Sequence, residues 1–240
     1  MKKLTSAWFE FAGARNTDRG VRLLSLPVRY HPAERGEFLR VPGRNGSLWA
    51  GEDAFDDVTV RVQCQTTDDA DMATVSAWLC GAGELRFSDD PKRFYRARVV
   101  KEFSRSAAMN RFVNQTFTVT FDCQPFLYHR EVEDIILTAS PATVTNPGTH
   151  KSAPRLTIEG TGAAVLTIGT QIVEVDDLGG GVILDSELGE CFNLDETQLK
   201  NSVVTLMDED FPTLQPGANI ISWTGTGVTG ITITPRWRDL

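Results

Sequence analysis

No stretch of this 240-residue chain approaches the ~18 consecutive apolar residues of a membrane-crossing helix. The amino terminus carries Lys2 and Lys3 with no apolar segment behind them, so no secretory signal is expected. Histidine is scarce: His31, His129 and His150 are the full set, and none belongs to an H-x-x-x-H pair or sits beside a cysteine. The four cysteines, Cys64, Cys80, Cys123 and Cys191, form no C-x-x-C, which excludes the spaced zinc and thiol-redox motifs. A G-x-S-x-G elbow is also absent. Gly179-Gly180-Gly181 is followed by neither Lys-Ser/Thr nor a helical pattern, so it lacks the parts of a phosphate cradle. A hairpin turn between Val175 and Val182 is expected there instead. These absences leave no catalytic, cofactor-binding or metal-binding residue to nominate, and no enzymatic activity or cofactor is expected.

What is present is a charge asymmetry. Residues 1–130 hold 19 Lys+Arg against 16 Asp+Glu, a net of +3, whereas residues 131–240 hold 5 against 16, a net of −11. A shift of that size predicts two units, a domain over 1–130 and an acidic one over 131–240. The acidic half repels nucleic acid and anionic lipid, so neither is expected as a partner. The segment between Tyr128 and Thr149 is expected to be an exposed connection open to protease.

The first half reads as strands, one helix and a hairpin. Asp57 to Gln65 alternates apolar and polar residues, the period of a half-buried strand. Asp68, Asp69 and Asp71 supply an N-cap and first-turn acids, and Met72, Val75, Trp78 and Leu79 form one apolar helical stripe. Gly81 and Gly83 end that helix. Leu85 and Phe87 start a strand, Ser88-Asp89-Asp90-Pro91 supplies the turn, and Tyr95, Ala97 and Val99 alternate out of it. Residues 112–123 make another alternating strand, with Phe117, Val119 and Phe121 expected beneath Trp78. Val41-Pro42-Gly43-Arg44-Asn45-Gly46 sets two turn signals ahead of Leu48 and Trp49. Cys64 and Cys123 continue apolar faces and read as small core residues.

From residue 131 the helical period disappears. Short β-branched runs recur at roughly ten-residue spacing: Leu156–Ile158, Val165–Ile168, Ile172–Val175, Val182–Leu184, Val203–Leu206, Ile220–Trp223 and Ile231–Ile233. That rhythm predicts a β-sandwich or jelly roll. The acids Asp176-Asp177, Asp185, Glu187, Glu190 and Asp208-Glu209-Asp210 read as exposed turn carboxylates, with a calcium site as the alternative. Trp223 lines up with Ile221 and reads as core; Trp237, between Arg236 and Arg238, reads as a surface residue.

In this order several landmarks resemble the distal tail protein family of long-tailed bacteriophages. They are Val41–Gly46, the helix end Trp78-Leu79, the hairpin Leu85–Arg98 and the strand Phe117–Cys123 leading into Pro125-Phe126. Asn146-Pro147-Gly148-Thr149, Ala153–Ile158 and Phe211–Asn219 continue the series through the second half. The resemblance implies a mainly β protein: an N-terminal β-sandwich-like domain with one helix and a hairpin, then a C-terminal galectin-like β-sandwich. It implies a virion component at the tail tip, assembled in the host bacterial cytoplasm. There a homohexameric ring would link the tail tube protein to the tip hub and dock receptor-binding proteins. A carbohydrate-binding adhesion module is the alternative, although a chain of this length has no room for the inserted sugar-binding modules of some relatives. A ring needs contacts between unlike faces. The tip of the hairpin, Asp89 and Asp90 beside Lys92 and Arg93, carries both signs and is the candidate contact between subunits.

Overall fold

A computed structural model describes residues 7–67, 71–100, 115–208 and 210–240. Asp68, Asp69, residues 112–114 and Glu209 of the sequence reading lie outside the described residues. The protein is mainly β, and it divides into two compact units: residues 1–128 with Leu240, and residues 129–239.

The first unit contains β1 (Phe9–Phe11), β2 (Ala14–Arg15), β3 (Val21–Leu23), β4 (Glu34–Leu39), β5 (Leu48–Phe55) and β6 (Val58–Thr66). After these come α1 (Met72–Trp78), β7 (Ala82–Phe87), β8 (Asp90–Val99) and β9 (Thr116–His129). One sheet runs β2-β1-β7-β8-β9-β6-β3, and β4 pairs only with β5. The alternation of β6 does what a period of two dictates: Val58, Val60, Val62 and Cys64 are buried while Thr59, Arg61 and Gln63 face out. Antiparallel register sets these buried residues opposite Cys123, Phe121, Val119 and Phe117 of β9, so both strands line one core.

Helix α1 covers that core. The Asp71 carboxylate caps it by accepting from the amides of Ala73 (3.1 Å) and Thr74 (3.2 Å). Val75, Trp78 and Leu79 are buried and Met72 packs at the margin, as the stripe predicts. Gly81, at φ +77°, turns the chain out of the helix, whereas Gly83 already belongs to β7. The Trp78 ring stacks on Phe9 with centroids 5.4 Å apart, and Phe9 in turn meets Phe87 and Phe121. Burying each such ring stabilises the unit by about 1.5–3 kcal/mol. Asn16, fully buried, ties the first strands together: its Oδ1 accepts from the Phe9 amide and its Nδ2 donates to the Val21 carbonyl, both at 2.8 Å.

The second unit contains β10 (Ile135–Leu137), β11 (Ala142–Asn146), β12 (Arg155–Gly160), β13 (Ala164–Ile168), β14 (Gln171–Val175) and β15 (Gly180–Asp185). They are followed by β16 (Glu190–Asn193), β17 (Val204–Leu206), β18 (Gly217–Thr224) and β19 (Val228–Thr234). Two five-stranded sheets, β10-β19-β12-β15-β16 and β11-β18-β13-β14-β17, share one apolar core. Each β-branched run of the sequence lies in a strand, except that Val203 ends a 3-10 turn just before β17, and inward residues such as Leu156, Ile158, Leu166, Ile168, Leu184 and Ile233 are almost fully buried.

Three local expectations are corrected. The glycine run is not a hairpin turn: β14 and β15 belong to opposite sheets, so residues 176–179 carry the chain across the sandwich. Gly181 is required there, because a Cβ at its φ of +154° would meet Leu194 and the Ile158 carbonyl at 2.9–3.0 Å. Trp237 is 5% exposed and packs in the core. It keeps the parity of the buried Ile231 and Ile233, so alternation along this segment places it inward despite its two arginine neighbours. Finally, the segment from Tyr128 to Thr149 is not an exposed connection; it contributes β10 to one sheet and β11 to the other.

Candidate assembly surface

The candidate contact predicted from sequence is the tip between β7 and β8. The structure satisfies most of its charges within the chain. Arg29 pairs with Asp89 and lies 4.0 Å from Asp90, and Arg93 Nε bonds Asp90 at 2.8 Å. The Arg29 guanidinium also sits over the Phe87 ring, 5.4 Å from its centroid. Lys92 is exposed and makes no ion pair among the described residues.

The larger exposed feature is the arm formed by β4 and β5. Nine of the large apolar side chains that stand exposed among the described residues lie between Leu24 and Trp49. In the arm, Phe38 faces Trp49 across the ladder and Leu39 faces Leu48, and the two aromatic centroids are 4.8 Å apart. Phe38 is 71% exposed and Trp49 42%. Gly36 and Gly51 pair directly, and the Trp49 ring lies over both; a Cβ at Gly36 would meet it at 2.7 Å. At the base, Phe55 packs edge-on to Phe126 of β9, and Arg35 bonds Asp56 at 3.1 Å. At the tip, Gly43 and Gly46 take positive φ and the Arg44 amide bonds the Val41 carbonyl, as the two turn signals require. Residues 40–47 carry Arg40 and Arg44 and no acid.

A groove of about 800 Å³ lies on the same unit, between the segment Ser25–Tyr30 and the outward face of β6. Leu26, Val28 and Tyr30 form one wall; Asp57, Thr59 and Arg61 form the other. Burial, then neighbouring Asp122, raise the Asp57 carboxyl above its ordinary value; Arg35 opposes them and Asp56 adds a smaller push upward. Sequence reasoning did not find this pair of surfaces. The signal was present in β4, whose residues do not alternate, but apolar residues beside a turn read equally well as core.

Catalytic arrangements have little to build on. Among the described residues no cluster of three or more His, Cys, Asp or Glu is placed to hold a metal. Asp185 is buried, bonded by Arg236 at 2.6 and 2.7 Å, and its Oδ1 accepts from the Glu187 and Leu188 amides. Desolvation pushes its carboxyl up, but the Arg236 and amide hydrogen bonds outweigh it and hold it below the ordinary value. Asp177 accepts from the Gly179 amide at 3.1 Å. Burial pushes the thiols of Cys64 and Cys123 up to about 12 and that of Cys191 to about 11. Trp223 packs against the core of the second unit, as does Trp237.

No protein-family model matches the chain, and no curated protein sequence matches it. Among solved structures it is similar to the SPP1 Dit protein (gp 19.1), described as a paradigm of the hub adsorption apparatus in phages that infect Gram-positive bacteria. The likeness covers 98% of this chain and 100% of that one, with a TM-score of 0.71 at 16% identity. This chain has the distal tail protein fold. The correspondence spans the full length, so both units share the fold of that protein.

Proposed function

We propose that this protein is a structural component of a long-tailed bacteriophage virion, without enzymatic activity, located at the distal tip of the tail. Six copies form a closed ring through the first unit, and the ring joins the tail tube to the tip hub. The acidic second unit offers a docking surface for receptor-binding proteins. The observation that carries this reading is the full-length likeness to a distal tail protein of an adsorption hub. The exposed arm supports it, since an isolated two-stranded hairpin is only marginally stable in water and large exposed apolar patches mark interaction sites. The near-neutral charge of the first half suits repeated close contacts between copies, while net −11 on the second half keeps it solvated. The tip of the β7–β8 hairpin, with Asp89, Asp90, Lys92 and Arg93, is proposed as a further contact. Lys92 is its outward charge.

Co-expression with the products of adjacent tail genes, followed by electron microscopy, tests the reading. Closed six-fold rings are expected. A strictly monomeric product free of those partners overturns it. Lys92→Glu is expected to reduce ring yield while leaving the subunit folded; undiminished yield removes that hairpin from the contact.

A further inference from the structure

The ring reading says that unlike faces of the first unit meet, and the first unit displays two surfaces that match each other. One is a knob, the Phe38–Trp49 pair on the arm, with Arg40 and Arg44 beyond it and no acid at the tip. The other is the groove whose apolar wall is Leu26, Val28 and Tyr30, the last two being 66% and 65% exposed. We propose that the arm of one copy seats in this groove on the next copy, with Phe38 and Trp49 against Val28 and Tyr30 and the arginine-bearing tip at Asp57. The proposal rests on the ring reading and names the surfaces that close the ring.

Three physical points select a second copy as the occupant. First, knob and groove are present on every copy but at different places, which is the requirement for a head-to-tail contact that closes into a ring. Second, the charges are complementary. Arg40 and Arg44 make no ion pair among the described residues, and the groove ends at a carboxylate cluster: Asp57 stands just before β6, two residues from Thr59, whose partner across the ladder is Asp122. Asp56 beside it is already bonded to Arg35. Asp57 makes no ion pair among the described residues; burial first, then Asp122, raise its carboxyl, with Arg35 opposing and Asp56 adding, so an incoming guanidinium supplies a favourable partner. Arg61 also lines the groove, and its like charge requires the tip to seat at the Asp57 end. Third, the reach is adequate. Six to eight residues at ~3.3 Å each carry the arm about 20–26 Å from its base.

The test uses the full chain co-expressed with the adjacent tail proteins. In a Cys80→Ser background, which removes the exposed native thiol, Ser47→Cys on the arm tip and Thr59→Cys in the groove are combined. A short bismaleimide is expected to link copies into a ladder up to the ring, and to give none with either cysteine alone. In parallel, Arg40→Glu with Arg44→Glu is expected to lower the assembled fraction about tenfold or more, and adding Asp57→Lys is expected to recover it. Both sets lie on exposed residues, so the thermal unfolding of the subunit serves as the folding control. Rings that form without the 47–59 link and ignore the charge swap overturn this contact and leave the ring reading intact. The unsubstituted protein failing to form rings overturns both.

Discussion

The indole N–H of Trp78 donates to the backbone carbonyl of Phe11 at 2.8 Å, across 67 residues of sequence. The same indole stacks on Phe9, so helix α1 is held to β1 by both packing and a polar bond. Phe9 and Phe11 are themselves fully buried.

Trp78→Ala is expected to destabilise the first unit by about 3–5 kcal/mol, the range for emptying a large aromatic site. Trp78→Phe keeps a ring but removes the bond to the Phe11 carbonyl, so about 1–3 kcal/mol is expected. Urea unfolding followed by the fluorescence of the remaining tryptophans reports both. A loss below about 0.5 kcal/mol for the alanine variant contradicts the packing described.

Asn146, 2% exposed, holds the turn after β11. Its Nδ2 donates to the carbonyls of Leu214 (2.9 Å) and His150 (3.1 Å), and its Oδ1 accepts from Gly148 (2.8 Å). Asn146→Ala leaves those groups without their partner and should cost about 1–3 kcal/mol. Asn146→Asp keeps the acceptor but loses both donated bonds and should rescue little. Chemical denaturation of the two variants decides; full rescue by aspartate contradicts the donor role.

The Asp185–Arg236 pair predicts an acid limit. A carboxylate held below its ordinary value in the folded state takes up a proton more readily when unfolded. Its contribution is therefore complete above about pH 4, the ordinary aspartate range. It is lost as pH falls below that toward the lowered folded value. Asp185→Asn is expected to cost about 1.5–3 kcal/mol at neutral pH, the range for hydrogen bonds to charged groups. The gap from the parent protein should narrow in acid, as melting curves between pH 7 and pH 3 will show. A gap independent of pH means the carboxylate charge is not what stabilises the fold.

The cysteines predict a labelling pattern. Cys80 is exposed, while Cys64, Cys123 and Cys191 are buried and their thiols are shifted well above neutral pH. Iodoacetamide at pH 8 should modify Cys80 alone in the native protein and all four after denaturation, read by peptide mass spectrometry. Native labelling of Cys64 or Cys123 at a comparable rate contradicts the β6–β9 core.

Strand identity was legible because a period of two is local: Val58–Cys64 and Phe117–Cys123 declare which residues face inward wherever the strand lies. The helix was legible for the same reason, from an N-cap aspartate and a stripe at Met72, Val75, Trp78 and Leu79. What local pattern did not reveal is what each segment meets. Val175 and Val182 flank a glycine run in the manner of a hairpin, yet they go to opposite sheets, because strand partners are chosen by the whole sandwich. Trp237 looked outward because arginines flank it, yet it continues the buried series Ile231 and Ile233 and joins the core.

The candidate surface shows the same division. The sequence by itself determined that Phe38, Leu39, Leu48 and Trp49 flank a Pro-Gly and Asn-Gly turn, since turn chemistry and β propensity are properties of neighbouring residues. Only the tertiary structure decided that these side chains stand in solvent rather than in the core, because burial depends on whether any other strand pairs with the arm. In this chain none of the described strands does. Likewise, composition made Asp89, Asp90, Lys92 and Arg93 a two-signed tip, but it took folding to bring Arg29, sixty residues away, against Asp89 and so leave Lys92 as the outward charge.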